Sequence, residues 1–210
     1  MESLYVTTYL TELIAVTSVA IFMALIPGVD FVMVTRTSIR EGRLAGLYTT
    51  LGICLSICFH ATYTLAGLAV IIANSVLIFS IIQYLGAAYL TYIGWKLLKN
   101  TQKINLTLEG DIDRLSFLSA LRLGFMTNVL NPKAPLFFLS IFTQVVSVET
   151  PMSMQLIYAL IIVLSHFVWF SAVTLLFSHP SLLPRFNRYK NKIDKLAGVV
   201  LVAFAIKIII

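Results

Sequence analysis

The segment "ALIPGVDFVMV", residues 24–34, lies inside a long apolar run but contains the helix breaker Pro27–Gly28 and, two residues later, the acid Asp30. Proline in a helix interior removes one intrahelical hydrogen bond. In lipid, the backbone groups that such a break frees must find partners inside the protein or in a water-filled cavity. The segment therefore predicts a helix that is interrupted beside a cavity, with a carboxylate at the interruption.

The composition around this segment is typical of an integral membrane protein. Of the 210 residues, 59% are hydrophobic and 11% are charged, and the mean hydropathy is +0.94. A soluble domain carries about 25% charged residues. The apolar stretches are long enough for transmembrane helices, and the short alternating strands of a membrane barrel are absent. We therefore predict an all-α integral membrane protein.

Six apolar stretches are each long enough to span a bilayer. They cover residues 8–36, 44–73, 75–98, 116–146, 153–177 and 194–210. The fourth stretch is interrupted at Asn131–Pro132, about half a chain after the break at Pro27. The two breaks predict that the first helix of each half is discontinuous.

The third helices of the two halves also resemble each other. "LGAAYLTYIGWKLL" (85–98) can be aligned with "LAGVVLVAFAIKII" (196–209). Weak internal similarity of this kind is common in transporters, and three spans per half require the second copy to be inverted in the membrane. We predict one domain, residues 1–210, built of two inverted three-helix repeats (about 1–98 and 116–210) joined by a cytoplasmic linker, 99–115.

The net charge of +6 is explained by the loops between the helices. Basic residues fall in the first, third and fifth loops, namely Arg36, Arg40, Arg43, Lys96, Lys99, Lys103, Arg114, Arg122, Arg185, Arg188, Lys190, Lys192 and Lys195. Because positive loops remain on the cytoplasmic side, we expect both termini in the periplasm. The same rule accounts for the basic charge without a nucleic-acid partner.

The two breaks carry one acid and one base, Asp30 and Lys133. A charge at membrane depth costs about 2.5–3.5 kcal/mol even on the lenient insertion scale, and it usually has a partner or a function. Our hypothesis is that Asp30 holds a substrate ammonium or a coupling proton, and that Lys133 with the half-helix ends holds a carboxylate. The alternative is an ion pair that only joins the two halves.

Other polar residues lie near the breaks or at the centres of spans. Asn128 and Asn131 can offer amide hydrogen bonds at the second break, where Asn131 is either a helix cap or a ligand. His60 and His166 lie near the centres of the second and fifth spans. Each is either a proton relay or a hydrogen-bonded packing residue.

Three segments resemble the LysE/RhtB family of bacterial amino-acid exporters, especially its homoserine/threonine branch. They are "PGVDFVMVTRTSIREGRLAGLYTTLG" (27–52), "LGAAYLTYIGWKLL" (85–98) and "LRLGFMTNVLNPKAPLFFL" (121–139). The resemblance implies a six-helix translocator of the bacterial inner membrane that exchanges cytoplasmic amino acids for external protons.

The motifs of that family fall on two short groups of residues in this chain. The first group is Pro27, Gly28 and Asp30, and the second is Asn128, Asn131, Pro132 and Lys133. The family usually reads Pro-Gly-Pro, whereas position 29 is valine here, which restores one backbone donor and makes the first break less rigid.

The expected partners are an amino-acid substrate, protons and the lipid bilayer, with no cofactor. Faces of small residues also permit a homodimer. An enzyme is not expected, because no nucleophile–base or metal constellation is found in the sequence. The alternative function is a divalent metal-ion exporter of related architecture, although Asp30 and His60 are few ligands for a metal.

Overall fold

The structure is a computed structural model that describes residues 2–104, 115–144, 146, 149–177 and 182–206. All regular elements of these residues are α-helices, as the sequence predicted. In chain order they are α1 (Glu2–Leu25), α2 (Val29–Glu41), α3 (Arg43–Asn74), α4 (Val76–Lys99), α5 (Phe117–Val129), α6 (Lys133–Gln144), α7 (Met152–Phe177) and α8 (Leu182–Ile206).

Four helices of the described residues are long and apolar enough to cross a membrane, whereas six spans were expected. The four spans are Thr7–Leu25, Arg43–Leu68, Leu77–Lys99 and Met152–Phe177. The stretch 116–146 is divided into α5 and α6, which have 13 and 12 residues, fewer than the roughly 20 that one crossing needs. Residues 207–210 of the last expected span and 105–114 of the expected linker lie outside the described residues. The six-span inverted repeat therefore stays a prediction.

Both interruptions that the sequence indicated are present in the chain. The first lies at residues 26–28, where α1 ends and Gly28 provides the carbonyl that accepts the first hydrogen bond of α2, from Val32 at 3.0 Å. The second lies at residues 130–132, between α5 and α6. The sequence predicted that the first break interrupts a single span, residues 8–36. In the structure, α1 alone is already long enough to span a bilayer, and the break follows it.

The basic segment 185–195 was expected to be a loop, and this expectation was wrong, because the segment lies inside α8. Lys190 and Asp194, one helical turn apart and both buried, form an ion pair of 2.5 Å. Opposite charges at this spacing stabilise a helix. The side chain of Asn100, which caps the end of α4, donates a 2.9 Å hydrogen bond to the same carboxylate. The polar half of α8 is thus packed against the end of α4.

Glycines allow helix backbones to approach closely in this bundle. A Cβ atom added to Gly124 of α5 would overlap the carbonyl oxygen of Thr49, and one added to Gly52 of α3 would overlap that of Leu121. Gly94 of α4 and Gly198 of α8 meet similarly, since a Cβ on Gly94 would lie 2.8 Å from the Gly198 oxygen. Small residues at such crossings are typical of helix association in membranes.

Gly124→Ala is expected to destabilise the protein, because the added methyl group has no space at the α3–α5 crossing. Overpacking of this kind costs about 1–3 kcal/mol. Gly67→Ala, also within a helix, is the matched control: a Cβ there meets no atom within 4 Å, and alanine is the better helix former by about 1 kcal/mol. Thermal unfolding in detergent should show a lower midpoint for Gly124→Ala only. Equal midpoints in the two variants would contradict the packing described here.

Candidate functional site

A small cavity lies between the two breaks. Its volume is about 40 Å³, enough for a few water molecules but too small for an amino acid. Apolar side chains from five helices and from the first break form much of its wall, namely Met23, Ile26, Phe31, Ile57, Ala134, Phe137, Phe138 and Phe170. The polar side chains that line it are Asp30, Asn128, Asn131, Lys133 and His166. The cavity therefore combines a dry wall with a few converging polar groups, which is typical of a ligand site.

Asp30 lies in the first turn of α2 and is held by amides of the second break. Its Oδ2 accepts hydrogen bonds from Asn128 Nδ2 at 3.0 Å and from Asn131 Nδ2 at 3.5 Å. The first turn of a helix also favours a negative charge. Asp30 Oδ1 and Asn128 Oδ1 are buried without any hydrogen-bond partner. Two acceptor oxygens thus remain unsatisfied in a region of low polarity, where each costs about 1–3 kcal/mol.

Lys133 is the first residue of α6, but its side chain reaches the first break. Its Nζ lies 3.9 Å from the position that a Cβ atom on Gly28 would occupy. Lys133 and Asp30 attract each other electrostatically, yet these two described side chains do not form an ion pair. The two charges are therefore near each other without a direct salt bridge, and the choice between a site role and a purely structural pair stays open.

Asn131 caps α6, which is one of the two roles that the sequence left open, and its role as a ligand stays a prediction. Its Oδ1 accepts a 3.1 Å hydrogen bond from the backbone N–H of Lys133, so that it caps α6. Its Nδ2 points to Asp30. Pro27 and Pro132 are at the breaks but are not among the residues that line the cavity. Gly28, by contrast, forms part of the cavity wall.

The two histidines have different positions. His60 is buried behind Asn128 and does not line the cavity; its Nε2 lies 3.5 Å from the Asn128 carbonyl oxygen and its Nδ1 lies 2.6 Å from the Tyr63 hydroxyl. His166 lines the cavity directly. The sequence indicated both histidines as possible proton relays, and of the two we placed only His60 among the expected substrate- or proton-binding residues. The only signal for His166 was an imidazole within the apolar 26-residue helix α7.

The sequence of the chain can be compared with the sequences of known proteins. The sequence profile described as "LysE type translocator" matches residues 21–210, which is most of the chain. This chain belongs to the LysE family. The resemblance seen in the sequence is thereby confirmed, and the protein is a multi-pass membrane protein of a translocator family.

Relatives of this LysE-family chain span nearly its whole length. It is 30% identical to the membrane protein YrhP of Bacillus subtilis over 93% of this chain and 97% of the relative. It is 32% identical to the membrane protein YahN of Escherichia coli K12 over 87% and 82% of the two chains. It is also 29% identical to a threonine efflux protein of Escherichia coli K12 over 100% and 99%. No solved structure matches this LysE-family chain.

Proposed function

We propose that this LysE-family protein exports small amino acids or close derivatives, similar to threonine or homoserine, from the cytoplasm in exchange for protons. The observation that carries the proposal is that Asp30 and Lys133 line one cavity without pairing with each other. An acid and a base held apart in a mainly apolar cavity match the two charges of a zwitterion. The threonine efflux relative supports the substrate class.

The unpaired oxygens beside Asp30 suit a substrate ammonium. Asp30 Oδ1 and Asn128 Oδ1 lack donors, and an ammonium group supplies three. A proton on Asp30 would remove the charge that holds the ammonium. Because Asp30 can then carry either a proton or a substrate, but not both, one site can exchange the two.

The opposite side of the cavity suits a carboxylate. Both α2 and α6 begin at the breaks, and helix N-termini carry partial positive charge. Lys133 adds a full positive charge at the start of α6. The helix dipole is unfavourable for a cation there, and among the described residues no side chain forms an ion pair with Lys133. Half-helix ends that face a substrate carboxylate are a recurring device in secondary transporters.

The cavity must enlarge before an amino acid can enter it. A volume of about 40 Å³ has room for water but not for an amino acid. The breaks at residues 26–28 and 130–132 are the natural points of adjustment, since backbone hydrogen bonds are interrupted there. We place the protein in the bacterial inner membrane as six crossings in two inverted halves, with both termini in the periplasm, and α5 with α6 forming one broken crossing.

Transport by everted membrane vesicles tests the proposal, because export then appears as accumulation. We expect one or a few labelled amino acids, threonine and homoserine among them, to accumulate only while a proton gradient is imposed. Vesicles without the protein are the control. If labelled Zn²⁺ or Mn²⁺ accumulates instead and no amino acid does, the alternative of a metal-ion exporter replaces this proposal. Within the described residues, no three His, Cys, Asp or Glu side chains group as a metal site.

A further inference from the structure

His166 lines the cavity and carries a hydrogen-bond acceptor on its ring. Its Nδ1 lies 2.8 Å from the carbonyl oxygen of Ile162, one turn earlier on α7. A carbonyl oxygen only accepts, so Nδ1 carries the hydrogen. In a neutral imidazole with this tautomer, Nε2 is an unprotonated acceptor. Among the described residues, none donates to His166 Nε2.

The remaining polar groups of the cavity already match the charged ends of an amino acid. Asp30 and Asn128 offer acceptors for an ammonium, and Lys133 offers a donor for a carboxylate. Lys133 also acts electrostatically on His166, and like charges repel strongly where little water screens them. The acceptor at Nε2 is therefore left for the side chain of the substrate.

The neighbours of His166 make this acceptor selective. Phe170, one turn later on α7, lies 6.0 Å from the imidazole ring, and the apolar wall includes Phe137 and Phe138. An apolar substrate side chain pressed against Nε2 would leave the nitrogen desolvated and unpaired, which is unfavourable. A side-chain hydroxyl would donate to it.

We propose that His166 Nε2 accepts a hydrogen bond from the side-chain hydroxyl of the transported amino acid and thereby selects hydroxyl amino acids over apolar ones of equal shape. This inference rests on the proposed function, and it adds a residue that sets specificity. Enzyme pockets that hydrogen-bond a substrate hydroxyl reject analogues that lack the hydroxyl, because the polar group of the pocket is then left unpaired. A role in packing alone would give no such selection.

Two substrate pairs test the inference in everted vesicles. Valine has the shape of threonine with a methyl group in place of the hydroxyl. O-methylserine is an isomer of homoserine whose oxygen accepts but cannot donate. We expect the wild type to favour threonine and homoserine over their partners by at least about tenfold in initial rate. Equal rates for homoserine and O-methylserine would overturn the inference and leave amino-acid export standing.

Variants of His166 separate selection from packing. In His166→Phe, or in His166→Leu as a second apolar replacement, the ratio of threonine to valine transport should fall close to one, because threonine loses its acceptor and valine no longer leaves a nitrogen unpaired. His166→Gln, whose amide oxygen accepts, should restore part of the ratio. Phe170→Leu, on the same wall, is the control and should change both substrates alike. An unchanged ratio in the apolar variants, or an equal loss of both substrates, would overturn the inference. If the wild type moves no amino acid at all, the proposed function fails as well.

Discussion

Asp30→Asn is expected to reduce proton-driven accumulation of substrate by at least about 100-fold while the protein stays folded. The asparagine keeps the shape of the side chain and can still accept from Asn128 Nδ2, whose hydrogen bond to Asp30 is 3.0 Å long. It can hold neither a proton nor the charge that attracts an ammonium. A hydrogen bond between charged groups contributes about 1.5–3 kcal/mol, and each 1.4 kcal/mol is tenfold in affinity. Loss of the coupling proton adds to this effect.

Stability separates this role of Asp30 from a purely structural one. Replacing a buried carboxylate with a neutral amide removes a desolvated charge, so the thermal midpoint of Asp30→Asn should equal or exceed that of the wild type. Glu149→Gln makes the same chemical change at an exposed position and should transport normally. Wild-type accumulation by a correctly inserted Asp30→Asn protein would refute the role of Asp30 in exchange. A loss of transport that follows a lower thermal midpoint would instead indicate a structural carboxylate.

Lys133→Met is expected to raise the substrate concentration at half-maximal transport by about 10- to 150-fold. The variant keeps an unbranched side chain at the start of α6 but removes the ammonium that lies beside Gly28. This range corresponds to the loss of one charge-assisted hydrogen bond, which contributes about 1.5–3 kcal/mol. Each 1.4 kcal/mol is about a tenfold change in affinity. Initial rates of threonine uptake over a range of concentrations measure the shift.

A modified substrate shows whether Lys133 acts on the carboxylate. Threonine amide has no carboxylate, so its transport should be poor in the wild type and should change little in Lys133→Met. Lys99→Met is the matched control, because that ammonium lies over the Trp95 ring at 4.3 Å, at the end of α4 and away from the cavity. Equal losses for threonine and threonine amide in Lys133→Met would show that Lys133 serves the fold and not the carboxylate.

The positions of the breaks and the charges beside them could be predicted from the sequence, because their causes are local. Pro27–Gly28 and Asn131–Pro132 interrupt apolar runs, and the chain places both at helix ends. Asp30 and Lys133 follow the breaks within three residues, so any fold that brings the breaks together also brings these side chains together. The cavity follows from the same reasoning.

The partners of these residues could not be predicted, since they depend on the rotation and tilt of helices. A span of uniform apolarity does not show which face is turned inward, so the sequence could not distinguish cavity-lining His166 from His60 behind Asn128. The segment 185–195 was similarly ambiguous: many charges indicate a loop, while the Lys190–Asp194 pair stabilises a helix. The Asn100 side chain at the end of α4, which is distant in sequence, donates a further hydrogen bond to Asp194.

The crossing of α3 and α5 has a mechanical consequence. With no side chain on Gly52 or Gly124, the facing carbonyl oxygens of Leu121 and Thr49 lie against backbone carbon atoms, a contact stabilised by weak Cα–H···O attraction of about 0.5–1 kcal/mol. Sliding either helix by one residue would bring a Cβ onto a carbonyl oxygen. We therefore expect α3 and α5 to move together as one rigid unit. Asn128, near the end of α5, would then stay at a constant distance from α3. We therefore expect the cavity to widen through its other walls, with Asp30 moving relative to Asn128.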